Sequence, residues 1–422
     1  MSQLDLGLLV AGATLLVLAL LSTLLPRLLL TGVLPALVAG VLLGPDVLGV
    51  LDPSGWAGDE RMLLEEAARL TLGVSLVGVG LILTRPDLRE CLRRVAVLLG
   101  PGMLGMWLLT ALGAWLLLDL PAWSALLLGA ILTPTDPVVA STLVTGKMAT
   151  SNVPRRMRAT LLAESGANDG LALPFVLLAG LMATLPAGAA LGDWSWDIAQ
   201  ELGIGIALGA AIGWGTGRLT EGLVVRGEIE EAGLLGLGIA LALTALGGAH
   251  LLGGSGIVAC FVAGVAFSDV LEQHVREELE NVQEAVTSFM ILPLFLLLGT
   301  MLPWSDWRAL GWAAPAFAAW VLLVRRPPVV LAILARSSLS RREKRWLAWS
   351  GPMGAAAVYY AIFAAEFGAE GYDTIYAAAL LGVCASVVVH SLTATPAVRW
   401  VAGRRVRTVA RHPLRAHVED DP

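Results

Sequence analysis

The strongest constraint on this chain is a recurrence. Stretches of about 20 mostly apolar residues, the length a helix needs to cross a bilayer, follow one another from end to end. Thirteen candidate spans can be read, at roughly 5–25, 28–45, 63–84, 95–118, 122–146, 157–185, 198–217, 232–251, 254–270, 285–302, 308–335, 346–367 and 373–398. Of 422 residues, 57% are hydrophobic and 15% charged, where soluble domains carry about 25% charged residues. A single soluble core stops growing near about 250–300 residues, so the apolar excess is not one large core. The sequence therefore predicts an all-α polytopic membrane protein. It argues against a water-soluble enzyme and a disordered chain, and the net charge of −6 offers no basic surface for nucleic acid.

The distribution of positive charge tests the span count. With the N-terminus outside, thirteen spans leave the C-terminus in the cytoplasm. Of the 28 Lys and Arg residues, only Arg61 and Arg308 then fall in outside loops. Arg69, Arg325 and Arg326 lie within or at the edges of spans, and all the others lie inside. Outside loops are acidic, with Asp52, Asp59, Glu60, Asp193, Asp197, Glu370 and Asp373. Trp194, Trp196, Trp304 and Trp307 stand near span ends, as an aromatic belt would place them. This predicts a plasma (inner) membrane protein with a transmembrane domain over 1–398 and a short basic cytoplasmic tail over 399–422. The start, MSQLDLGLLV, reads as the beginning of the first span and not as a signal peptide. Cys91, Cys260 and Cys384 are odd in number and show no metal-ligand spacing, so neither a disulfide framework nor a bound cofactor is expected.

Ionisable residues at membrane depth are costly and mark function by default. Two spans hold most of them. In the fifth, Pro134 and Pro137 flank Thr135 and Asp136 within an apolar run. Each proline removes a backbone donor, so the helix should open there. Freed carbonyls around Ile131 to Thr135, the threonine hydroxyl and the carboxylate would then face a cavity, a plausible oxygen set for a hard cation. The plain alternative is a proline kink whose Asp bonds its own backbone. In the sixth span, Glu164, Ser165, Asn168 and Asp169 fall within six residues. Ser165 and Asp169 share one helix face, and Glu164 and Asn168 share its neighbour. Here the alternative is a glycine-rich packing face with satisfied polar groups. A third irregularity lies in the twelfth span, where Gly351, Pro352 and Gly354 should bend or break the helix. Spans 1–6 (about 5–185) and 8–13 (about 232–398) align as two six-helix halves of opposite orientation, with the interruptions fifth in each. Such placement points to a transport site at the bilayer midplane.

At these residues the chain resembles the monovalent cation/proton antiporters, in particular the sodium/proton exchanger branch. Thr135-Asp136-Pro137 and the run ESGANDG from Glu164 to Gly170 are similar to that branch's paired motifs. The stretches Val41 to Gly49 and Ser255 to Phe267 are similar to others of the family. The resemblance implies thirteen helices in two inverted six-helix repeats, with discontinuous helices 5 and 12 crossing. It also implies a homodimer with a mobile ion-carrying core. Asp169 would be the proton carrier that alternately holds the cation, with Asp136, Glu164, Ser165 and Thr135 around that cation. Asn168 matches the asparagine of electroneutral exchangers, and Thr133 would support the site. Two departures stand out. Many relatives carry an arginine where this chain has Met353, and an acidic residue where it has Ile82. Arg69, Arg325 and Arg326 are candidate replacements, with Glu65, Glu66 or Glu366 as partners; Arg325 and Arg326 could equally snorkel to the inner interface.

The expected activity is secondary exchange of Na+, with Li+ and K+ as alternatives, for H+. The partners are then the two ions and the lipid bilayer. Burial raises a carboxylic acid's pKa, so one aspartate can take either a proton or a cation. A core that moves only when that charge is neutralised makes this an exchange. Two rival readings are an intramembrane aspartyl protease using Asp136 and Asp169, and a cation-coupled solute symporter on a similar scaffold. His250 and His274, at span ends, read as interfacial residues.

Overall fold

The structure, a computed structural model, describes residues 3–20, 33–53, 56, 60–136, 139, 147–184, 191–226 and 231–403. These residues are nearly all helical and contain no strand. Helices lie at each predicted segment. Five are long and apolar enough to cross a bilayer unaided, over 86–118, 155–184, 198–224, 313–333 and 372–402, and shorter apolar helices accompany them.

The first helices are α1 (Gln3–Leu20), α2 (Val33–Leu43) and α3 (Glu60–Ile82). Next comes α4 (Arg85–Val97), an amphipathic helix ahead of the predicted fourth span. It starts early because Thr84 and Asp87 form a capping box and Pro86 suits the first turn. A π-helical turn at Leu98–Gly102, around Pro101, leads into α5 (Met103–Leu118). Then α6 (Ala122–Ile131) stops at the proline-rich break. Of the fifth span's second arm only Val139 is described; Pro137 lies outside the described residues, and the next described helix is α7 (Lys147–Asn152). The sixth span is α8 (Arg155–Leu171) followed almost at once by α9 (Leu173–Thr184).

The longest helix, α10 (Leu191–Arg226), exceeds its predicted span at both ends. It is followed by α11 (Glu231–Leu251), α12 (Gly256–Ser268), α13 (Gln273–Thr300) and the short α14 (Trp304–Ala309). Helix α15 (Ala313–Trp320) runs through a π-helical turn, Val321–Arg325, to α16 (Pro327–Ile333). The predicted twelfth span is split into α17 (Arg341–Trp349) and α18 (Ala355–Phe363). Helix α19 (Tyr372–Ala402) runs four residues past the boundary expected at 398. Arg27 and the tail from 404, with most of its basic residues, lie outside the described residues.

In lipid, helices associate through close packing of small residues more than through the hydrophobic effect. Gly205, Gly209, Gly213 and Gly217 recur every fourth residue of α10 and lie against the Ser255, Ala259, Ala263 and Phe267 carbonyls. A Cβ at Gly213 would overlap the Ala263 carbonyl, so only glycine admits this approach. On its other side, α12 meets α3 through Gly264 and Gly80. The three helices make a layer in backbone contact, against which α8 is laid.

Candidate functional site

The two proline- and glycine-interrupted segments meet. After α6, residues 132–136 are unwound; between α17 and α18, residues 350–354 are. The Asp136 amide donates to the Pro352 carbonyl at 2.8 Å, tying one break to the other. The Ala355 amide, at the start of α18, donates to Asp136 Oδ2 at 2.7 Å, and the Val139 amide to Oδ1 at 3.2 Å. Asp136 thus accepts from the first amide of α18, the positive end of that helix, and from the Val139 amide. Gly354 is required here, since any Cβ would collide with the Asp136 carboxylate.

The carbonyl ends of α6 and α17 are also occupied. Arg325 Nη1 donates to the Leu132 carbonyl at 2.6 Å and to Thr133 and Pro134 at 3.2 and 3.4 Å, and its Nη2 donates to the Gly351 carbonyl at 2.7 Å. This corrects the expectation that freed carbonyls around Ile131 to Thr135 open toward a cavity: a fixed guanidinium takes three of them. Thr133 adds its carbonyl to this cradle, while its hydroxyl bonds back to the Gly129 carbonyl at 2.7 Å.

Arg326 faces α8. It makes a two-pronged ion pair with Glu164, at 2.7 Å from Nη1 to Oε1 and 2.8 Å from Nη2 to Oε2. Both arginines are 2% exposed, so neither snorkels to an interface. They point inward because the chain breaks at Arg325-Arg326-Pro327-Pro328, where a π-helical turn gives way to two residues without amide protons. Arg69 is not a replacement at this site. It pairs with Glu66 on its own helix at 2.6 Å, in a partly exposed position.

Glu164 passes the order along α8. Asn168 Nδ2 donates to Glu164 Oε1 at 3.2 Å and to Thr135 Oγ1 at 2.8 Å, and the Thr135 amide donates to Asn168 Oδ1 at 3.1 Å. Thr135 Oγ1 also shares a hydrogen bond of 3.0 Å with Ser165 Oγ. The structure therefore brings Thr135, Asp136, Glu164, Ser165 and Asn168 into one cluster with Arg325 and Arg326. Met353 lies buried in the second break, and its amide donates to Ser386 Oγ at 2.9 Å.

Asp169 is the exception. It is fully buried, and neither carboxylate oxygen has a hydrogen-bond partner among the described residues. The negative groups facing it are Asp136 and Glu164. Its main-chain carbonyl accepts the Tyr360 hydroxyl at 2.6 Å, a link from α18 that the sequence did not suggest. His390 was also missed, although an ionisable residue inside an apolar span is itself a signal. On the side where α8 begins, Arg155 pairs with Asp87 and Arg156 with Glu343, at 2.8 and 2.7 Å. Burial pushes the Glu343 carboxyl up, but hydrogen bonds from Arg156 and Ser340 outweigh it and hold the group below the usual carboxylate range.

An all-helical membrane chain with two interrupted segments meeting beside a buried acid has the architecture of a secondary transporter. More particularly, the chain belongs to the family described as sodium/hydrogen exchanger, transmembrane, which matches residues 13–400. Na(+)/H(+) antiporter 2 of Zygosaccharomyces rouxii is 32% identical over 334 residues, 76% of this chain and 41% of that protein. The K(+)/H(+) antiporter NhaP2 of Shewanella sp. strain ANA-3 is 28% identical over 362 residues, 85% of this chain and 61% of that one. The chain thus spans about two-fifths of the yeast protein's length. Among solved structures, the sodium proton antiporter MjNhaP1 from Methanocaldococcus jannaschii matches with a TM-score of 0.74 at 19% identity, covering 95% of this chain and 100% of that one. That likeness shows the fold.

Proposed function

We propose that the chain exchanges a monovalent cation, Na+ in the first instance, for H+ across the membrane, with Asp169 as the shared carrier of both. One observation carries the reading: a fully buried carboxylate to which no described protein group donates. An ionised carboxylate in that position costs several kcal/mol unless something neutralises it. A proton does so, and so does a cation, and the two exclude each other. Ser165 and Thr135 offer neutral oxygens for the cation. Glu164 and Asp136, each committed to its own donors, add negative charge from behind them. A cavity of about 230 Å³, with Asp87, Arg155, Arg158 and Glu280 in its walls, reaches Ala159 and Leu162 of α8, the latter about two helical turns before Asp169.

Asn168 is neutral and Arg326 is already paired, which supports one proton per cation and hence electroneutral exchange. The positive-charge pattern supports an outside N-terminus and a cytoplasmic C-terminus. By the family resemblance the working unit is a homodimer. The relatives' names cover both Na+ and K+, so the choice of cation is the first thing to measure. In proteoliposomes carrying a pH gradient, added Na+, K+ and Li+ in turn should collapse the gradient through the wild type. The Asp169→Asn variant should be inactive with all three, and clamping the membrane potential should leave the wild-type rate unchanged. Exchange retained by Asp169→Asn would overturn the reading. Against the protease rival, the Asp136 carboxylate is engaged by two backbone amides and so is poorly suited to share a proton with Asp169.

A further inference from the structure

The last helix carries a polar face that the ion site does not use. Ser386, His390 and Thr393 stand at i, i+4 and i+7 of α19 and so share one side of an otherwise apolar span. All three engage the second break or its edge. His390 Nε2 lies 3.0 Å from the Trp349 carbonyl, at the last residue of α17. His390 Nδ1 lies 3.1 Å from Ser386 Oγ and 2.9 Å from the Ser386 carbonyl. Ser386 Oγ accepts the Met353 amide at 2.9 Å, and the Trp349 indole donates to Thr393 Oγ1, also at 2.9 Å. The imidazole is 7% exposed, and its ring centre is 5.3 Å from that of Trp349.

A carbonyl only accepts, so Nε2–H donates to the Trp349 carbonyl. Nδ1 faces both the Oγ and the carbonyl of Ser386, and either oxygen ties the ring to that residue. A circuit of contacts therefore runs from the Met353 amide through Ser386 and His390 to the Trp349 carbonyl. That circuit spans the unwound residues 350–353 from one end to the other. The charged groups facing the ring are Arg325 and Arg326.

We propose that His390, acting through Ser386, is a positioning residue that staples the second break. It keeps the Pro352 carbonyl and Ala355 amide on Asp136, and the Gly351 carbonyl on Arg325. The staple stands on geometry alone; its consequence for transport rests on the exchanger reading. A break left loose by about 1 Å is enough to spoil a binding constellation.

The test has two arms on the full chain. In hydrogen–deuterium exchange, His390→Leu and Ser386→Ala should speed exchange over residues 349–355. His390→Gln, whose amide keeps a donor and an acceptor side by side, should not. In proteoliposomes, His390→Leu and Ser386→Ala should raise the apparent KM for Na+ by about five- to tenfold with a smaller change in kcat. His390→Gln should stay near wild type. The Ser386→Ala/His390→Leu double variant should be no worse than His390→Leu alone, since the two residues act as one unit. Unchanged deuterium exchange in His390→Leu, additive losses, or a His390→Gln variant as impaired as His390→Leu would each overturn the proposal. Should His390→Leu fail to fold, Ser386→Ala carries both arms. A wild type that moves no cation overturns the exchanger reading, while the exchange measurement still decides the staple.

Discussion

Glu164 and Arg326 form an ion pair from which water is excluded, and its worth lies less in attraction than in what happens when it is broken. Removing one partner of a buried pair leaves an uncompensated charge and costs about 3–5 kcal/mol, whereas replacing both can be close to neutral. Glu164→Gln should therefore lower the thermal unfolding midpoint sharply in a detergent melt, and adding Arg326→Met should restore much of it. The double variant should still exchange ions poorly, because the negative charge of Glu164 behind Ser165 and Thr135 is gone. The α8 residues were legible in the sequence because three- and four-residue spacing places side chains on a common face whatever surrounds them. Arg326 was legible only as one of two equal readings, because an arginine before Pro-Pro at the end of an apolar run looks the same whether it turns outward to lipid headgroups or inward to a carboxylate. Only the tertiary partner decides.

Among the helices, proline placement announced both interruptions, and the structure puts them in contact. The sequence could not show that the carbonyl ends would already be filled. Arg325 reaches them from a neighbouring helix, so a guanidinium occupies the crossing although Met353 stands where many relatives carry arginine. Close packing is easier to read, since glycines at every fourth residue of α10 mark the face where its backbone meets α12. Gly213→Val should destabilise the chain by about 1–3 kcal/mol, as overpacking does, and shorten its lifetime in detergent. Gly215→Val, on the same helix with no neighbour within 4 Å of a new Cβ, should leave the melt unchanged.

For the molecule as a whole, the polar links are unevenly distributed. Helix α8 is joined to α16 and its flanking break by Arg326, to the first break by Asn168, to α18 by the Tyr360 hydroxyl, and to α17 by the Arg156–Glu343 pair. Against α12 it presents Gly166 to the Phe261 ring and Gly170 to Val258, apolar surface on both sides. Spin labels on α8 and α18 should keep one separation, whether cation or proton is in excess, in double electron–electron resonance. Labels on α8 and α12 should show two populations whose balance shifts with the ion. Directional bonds resist shear, and contacts made only by dispersion slide. The seam lined by Gly166 and Phe261 is then the expected plane of slip: the segment bearing the carboxylate would travel along it as a rigid cargo, past Gly166, Gly170, Val258 and Phe261, none of which has a side-chain hydrogen bond to give up.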